Sequence, residues 1–187
     1  MCIIIVKPAG EDIPADHILQ NCFKNNPDGA GLMFQEKKKK VLIEKGFMTV
    51  DSLLYHLEKI DRKYTLSDRD VCIHFRQATH GVISPGNTHP FPVTNNVKEL
   101  QKTHITTSAG LAHNGILYRY SPPKGSHLSD TMVFVRAISE RYDEKKDLMM
   151  MNGSGQRFCM MTRDRTLICG EYLYEDGMYF SNSSFRW

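Results

Sequence analysis

The sequence predicts an α+β fold in which two β-sheets are covered by helices, and three observations support it. Strand-like, β-branched or aromatic runs open and close the chain. Apolar residues recur at helical spacing in two separate clusters between them. No internal repeat and no linker divides the 187 residues, so residues 1–187 are expected to form a single domain, large enough for a sizeable core.

The elements follow in order. Ile3, Ile4, Ile5 and Val6 read as a buried strand, and Pro8, Gly10 and Pro14 mark the loop after it. His17, Ile18, Leu19 and Cys22 give a short helical pattern over residues 16–23, closed by a dense turn signal at residues 25–31. Residues 31–35 and 41–44 read as a hairpin across Lys37, Lys38, Lys39 and Lys40, a basic run that a hairpin tip would leave solvated. Val50, Leu53, Leu54, Leu57 and Ile60 predict a helix, with Thr49 or Asp51 placed to cap it. Residues 71–76 form a strand ending on Gln77-Ala78-Thr79-His80-Gly81, and residues 82–107 read as a long irregular stretch, of the kind that is usually functional or mobile. Asn114-Gly115 lies between two apolar runs, residues 109–113 and 116–120, which is a strong hairpin signal. Ser129 or Asp130 would cap a helix through Val133, Phe134, Ala137 and Ile138. Met149, Met150 and Met151 read as core filling or loop, and residues 157–162, 166–170 and 178–183 as strands.

Composition narrows the function. A hydrophobic fraction of 41% and a charged fraction of 24% describe an ordinary soluble globular protein, and a net charge of +3 is too small to imply a nucleic-acid partner. The five cysteines, Cys2, Cys22, Cys72, Cys159 and Cys169, are odd in number and contain no C-x-x-C pair. That argues against a disulfide framework or a zinc site and for a reducing compartment. No apolar run approaches a membrane span and no charged segment precedes the first apolar run, so the expected location is cytoplasmic, with no membrane partner. Several histidines invite a metal, but no carboxylate–histidine spacing of a known kind is present, and neither metal nor cofactor is expected.

The chemistry starts at Cys2, directly behind Met1. If Met1 is removed, one residue carries a thiol and a free α-amine, and an α-amine titrating near ~7.7–8.0 can take a proton from a thiol at neutral pH. Nucleophile and base would then share one residue at the end of a rigid strand. Taken alone, Cys2 also reads as a small buried hydrophobe, Asn114-Gly115 as a turn, Asp130 as a helix cap and Arg76 as an exposed strand-end charge.

Taken in order, the pieces say more. Cys2 is followed by His74-Phe75-Arg76-Gln77-Ala78-Thr79-His80-Gly81, then Ala112-His113-Asn114-Gly115, then Ser129-Asp130-Thr131. Asn26-Pro27-Asp28-Gly29-Ala30-Gly31 and Asn87-Thr88-His89-Pro90 fall between them. The ordered set resembles the class II glutamine amidotransferases, a family of N-terminal-nucleophile hydrolases, over essentially the whole chain. The resemblance implies a four-layer αββα sandwich and a glutaminase that releases ammonia from L-glutamine through a Cys2 thioester. It implies that Asn114 and the Gly115 N–H form the oxyanion hole, that Arg76 holds the substrate α-carboxylate and that Asp130 pairs with its α-ammonium. Thr79 and His80 become further substrate-pocket candidates. The chain stops at Trp187 without a synthase domain, so a separately encoded ammonia-accepting synthase is the expected partner. Two other readings keep the same pocket: hydrolysis of γ-glutamyl or other amides, and, with Met1 retained, a non-catalytic amino-acid-binding module. Asn25-Asn26 stands where better-known members begin with Arg-Gly, Gln77 stands where an aromatic residue is common, and residues 93–107 look like an insertion.

Overall fold

The structure, a computed structural model, describes residues 1–36, 40–79, 81–140 and 143–187. In chain order the elements are β1 (Ile3–Lys7), α1 (Asp16–Asn25), β2 (Ala30–Glu36), β3 (Lys40–Phe47), α2 (Val50–Tyr64) and β4 (Val71–Phe75). After these come β5 (Phe91–Pro92), α3 (Val97–Leu100), β6 (His104–Thr107), β7 (Ala109–Asn114), α4 (Asp130–Ser139) and α5 (Glu144–Gly153). The chain closes with β8 (Arg157–Thr162), β9 (Thr166–Cys169), β10 (Leu173–Glu175) and β11 (Met178–Phe180). Among the described residues these strands form a seven-stranded sheet, β10-β11-β1-β4-β2-β3-β6, and a four-stranded sheet, β5-β7-β8-β9.

Side-chain alternation along the strands builds the layers. Ile3 and Ile5 of β1 point to one face of the larger sheet, where Leu19 of α1 and Leu53 and Leu57 of α2 pack on them. Ile4 and Val6 point to the other face and meet Ala112, Cys159 and Met161 of the smaller sheet. The far side of that sheet, Leu111, Phe158 and Met160, is covered by Met132, Phe134 and Ile138 of α4 and Met151 of α5. Three buried cores in sequence make the four-layer αββα sandwich.

The longer elements follow their local signals. Thr49 caps α2 by accepting the Ser52 N–H at 3.2 Å, and Leu53, Leu57 and Ile60 form its buried stripe. β2 and β3 pair antiparallel on either side of the lysine run, of which Lys37, Lys38 and Lys39 lie outside the described residues. Met149 to Met151 sit on α5, with Met151 buried and Met149 exposed.

Two expectations are corrected. The stretch at residues 82–107 is not irregular throughout, because β5 and β6 extend the smaller and the larger sheet respectively. A buried cation organises it: the Lys45 ammonium donates to the carbonyls of Gly86 (2.9 Å), Thr88 (2.9 Å) and Leu100 (2.7 Å) and lies 4.0 Å from the centre of the Phe91 ring. Asn114-Gly115 does not turn a hairpin. β7 pairs with β5 and β8, while Tyr118–Tyr120 forms a single 3₁₀ turn. The amides after Gly115 are engaged by side chains instead of a strand ladder: Ile116 N–H by Gln156 Oε1 at 3.1 Å and Leu117 N–H by Asp130 Oδ2 at 2.7 Å. The strand β10 is also absent from the sequence-based expectation. Among the described residues, no helix is long and apolar enough to cross a membrane.

Candidate active site

β1 and β4 run antiparallel with Ile3 opposite Phe75, so the residues one step outward, Cys2 and Arg76, are brought together at the end of the sheet. The Gln77 N–H donates to Cys2 Sγ at 3.2 Å, and the thiol lies 3.4 Å from the Gln77 carbonyl oxygen. The turn after α1 clamps the same segment. Arg76 N–H donates to Gly29 O (2.8 Å), Asp28 N–H to Arg76 O (3.1 Å), and Asp28 Oδ2 accepts Ala78 N–H (2.7 Å). Arg76 is not an exposed strand-end charge: it is 2% exposed and Nη1 donates to Val82 O at 2.9 Å.

Asn114 ends β7, with Nδ2 donating to Ser181 Oγ at 2.9 Å. Gly115 adopts a φ of +149°, and a side chain there would overlap Gln156 Oε1. The cap of α4 is Ser129, whose Oγ accepts the Met132 N–H at 3.2 Å. Asp130 is the first helical residue, 4% exposed. Its Oδ1 accepts Thr131 N–H at 2.7 Å and its Oδ2 the Leu117 N–H, where the helix terminus favours a negative charge.

These side chains converge. Cys2, Arg76, Thr79, Gly115 and Asp130 line a narrow cleft of about 20 Å³, together with His89, His113, Ser129 and Thr131. Cys2, Thr79, Asn114 and Gly115 line an adjoining pocket of about 220 Å³, together with Met1, Gln156 and Tyr118. Both cavities share Cys2, Gln77, Thr79 and Gly115. His80 lies outside the described residues.

Burial sets the electrostatics. It pushes the Cys2 thiol up from its ordinary value, against the opposing pull of the Gln77 N–H, the positive chain terminus and Arg76. A thiol raised in this way stays protonated at neutral pH and needs a base to become a nucleophile. Burial also lowers Arg76, while Cys2, Asp28 and Asp130 draw it back up. His74 lies against His89 of the cleft wall with ring centres 4.1 Å apart and planes inclined by 32°, and His74 Nε2 lies 3.0 Å from the His113 carbonyl. Burial lowers His74 to about 3 and His113 to about 4, the latter opposed by Asp130, and takes His89 well below its usual value, so all three are neutral at pH 7. Among the described residues no group of three or more His, Cys, Asp or Glu side chains could hold a metal ion.

Two residues at this site carry no sequence signal. Gln156, just before β8, secures the Ile116 amide, and Ser181, just after β11, secures Asn114. Both reach the site through tertiary contact alone.

Comparison with known proteins gives the family. The model of the family described as glutamine amidotransferases class-II matches residues 19–142, about two thirds of the chain. The match includes Arg76, Thr79, Asn114, Gly115 and Asp130 and begins after Cys2. Among solved structures, glutamine phosphoribosylpyrophosphate amidotransferase from B. subtilis, complexed with ADP and GMP, is similar in fold with a TM-score of 0.52 at 17% identity. The likeness covers 96% of this chain and 41% of that one, so this chain spans less than half the length of that relative. No curated protein sequence matches. On the family match and the shared sandwich, the chain belongs to the class II glutamine amidotransferases, enzymes of the N-terminal-nucleophile hydrolase type.

Proposed function

We propose that residues 1–187 form a single glutaminase domain that hydrolyses the side-chain amide of L-glutamine through a thioester on Cys2. The observation that carries this reading is the gathering of four groups around two adjoining cavities that share Cys2 and Gly115: Cys2, Asn114–Gly115, Arg76 and Asp130. A cation and an anion at one end suit a zwitterionic amino acid, and a planar guanidinium suits its carboxylate.

Removal of Met1 frees the Cys2 α-amine, which takes the thiol proton through a water. The sulfur bonds to the amide carbon, and the carbonyl electron pair moves onto oxygen. Asn114 Nδ2–H and the Gly115 N–H stabilise that oxyanion. The tetrahedral species collapses with cleavage of the C–N bond, and the protonated α-amine returns its proton to the leaving group as ammonia. Water, deprotonated by the same amine, adds to the thioester, and expulsion of sulfur gives glutamate and restores the thiol. The cleft that Arg76 and Asp130 help to line, about 20 Å³, is the size of one water, so binding the amino-acid end of glutamine requires the cleft to widen. Family membership supports an acceptor synthase as the destination of the ammonia, and its placement on a separate chain is part of the proposal.

A second reading, hydrolysis of γ-glutamyl amides of larger amines, is favoured by one further observation. The nucleophile pocket shares Ile116, Tyr118 and Gln156 with an apolar cavity of about 480 Å³ lined also by Tyr120, Phe134 and Met150. Glutamate release from L-glutamine and from γ-glutamyl-p-nitroanilide, by protein shown by mass spectrometry to lack Met1, separates the two. Release from neither substrate, or activity that survives Cys2→Ala, contradicts both.

A further inference from the structure

The two residues that follow β11 bind the nucleophile strand and the proposed oxyanion donor at once. Ser181 Oγ accepts the Ile4 N–H at 2.8 Å and the Asn114 Nδ2–H at 2.9 Å, and the Ser181 N–H donates to Ile4 O at 2.9 Å. Next to it, Asn182 Nδ2 donates to the Cys2 carbonyl at 2.7 Å, with Asn182 Oδ1 held by the Ser184 N–H at 3.0 Å. Ser181 and Asn114 are each 3% exposed. β1 belongs to the larger sheet and β7 to the smaller, so one buried hydroxyl oxygen ties the two sheets together next to Asn114.

We infer that Ser181 is a positioning residue for the reaction proposed above, fixing the Asn114 carboxamide at a set distance from Cys2. A hydroxyl oxygen has two lone pairs, and here one takes Ile4 and the other Asn114. A carboxamide nitrogen has two hydrogens. Ser181 engages one, which sets the direction of the other. Asn114 Oδ1 is buried with no hydrogen-bond partner among the described residues, so the bond to Ser181 decides which way the carboxamide faces. A donor held in advance of the reaction stabilises an oxyanion without reorganising, whereas a donor free to rotate loses that advantage only as charge develops. The effect of losing Ser181 therefore falls on turnover and leaves substrate binding in place. The inference rests on the glutaminase reading, and its test separates the two.

The test compares wild type, Ser181→Ala, Asn114→Ala and the double variant. Ser181→Ala lowers kcat for L-glutamine about 10- to 100-fold, with KM within about twofold. In the Asn114→Ala background the same change alters kcat by less than about twofold, because the group that Ser181 positions is gone. Alkylation of Cys2 by iodoacetamide, a displacement that passes through no oxyanion, proceeds at the wild-type rate in Ser181→Ala. Additive losses in the double variant, a rise in KM without a fall in kcat, or slowed alkylation would overturn the inference. A readout independent of activity and of the stability of any variant comes from the wild-type protein by NMR. The Asn114 side-chain amide protons, assigned by their loss in Asn114→Ala, show cross-relaxation to the Ser181 β-protons if the contact is present in solution. Its absence refutes the positioning role. A wild type that releases no glutamate overturns the glutaminase reading, while the cross-relaxation measurement still decides the contact on which the positioning role depends.

Discussion

The backbone N–H of Gln77 meets the sulfur of Cys2 at 3.2 Å, so the candidate nucleophile is held by the residue directly after buried Arg76. Strand register makes this contact, since Ile3 opposite Phe75 leaves Cys2 and Arg76 as the next pair outward. In the proposed reaction, attack and recognition are thereby linked through adjacent residues. Burial of the thiol raises its pKa and sets the need for a base.

Activity of protein lacking Met1 rises with pH across ~7–8, the range in which an α-amine loses its proton, and levels above it. The neutral amine is the competent form, so the slope is positive. Protein that retains Met1 has no free amine on Cys2 and shows no turnover at any pH in that range. A pH–rate profile of kcat/KM on both forms checks this.

Asn114→Ala lowers kcat for L-glutamine about 10²- to 10³-fold with a small change in KM, the signature of a donor that acts on the transition state. Steady-state kinetics is the check, with iodoacetamide labelling of Cys2 as a control for an intact nucleophile.

Arg76→Lys keeps a positive charge and loses the planar fork, and Nη1 no longer reaches Val82 O. KM rises about 10-fold or more, with a smaller effect on kcat, because recognition of the α-carboxylate is the function lost. Comparing L-glutamine with its α-amide tests the assignment: the wild type discriminates strongly between them and the variant weakly.

Gly115→Ala destabilises the fold by about 1–3 kcal/mol, because the residue holds a φ of +149° and the new methyl displaces Gln156 Oε1 from the Ile116 amide. Gly10, at φ +93° with no described residue within 4 Å of its would-be side chain, is the control for the backbone component alone. Urea unfolding of Gly115→Ala and Gly10→Ala measures the difference, with the larger loss at Gly115.

Stability falls with acid below pH ~6.5 as the buried histidines bind protons more readily in the unfolded chain. Their folded values are depressed, His74 to about 3 and His113 to about 4, so their contribution is complete above the unfolded value and declines as pH falls toward the folded ones. Each contributes a slope of up to about 1.4 kcal/mol per pH unit in that window. His74→Gln keeps a donor for the His113 carbonyl and removes one titrating group, so its stability falls less steeply between pH 6 and 4. Denaturant unfolding at several pH values measures both slopes.

Much of the arrangement was legible from local pattern. Four apolar residues made β1 visible, and 3.6-residue spacing made α2 and α4 visible, because each element buries a face that its own sequence encodes. Cys2, Arg76, Asn114 and Asp130 stood out as parts of short ordered motifs, and they line adjoining cavities. What escaped was set at a distance. β5, α3 and β6 are two to four residues long, too short for periodicity, and their surroundings are held by the Lys45 ammonium from another strand. The Asn-Gly signal pointed to a hairpin, but the amides beyond it are engaged by Gln156 and Asp130. Ser181 and Gln156 sit 67 and 40 residues from the groups that they secure, and no local pattern marks them.

In the proposed reaction a sulfur and a primary amine on Cys2 act together on glutamine. The most direct measurement is glutamate release from L-glutamine by two preparations, one lacking Met1 and one retaining it, each verified by intact mass and each accompanied by its Cys2→Ala counterpart. Turnover is expected only in the processed protein with Cys2 intact. Turnover in the Met1-retaining form, or in either Cys2→Ala protein, would contradict it.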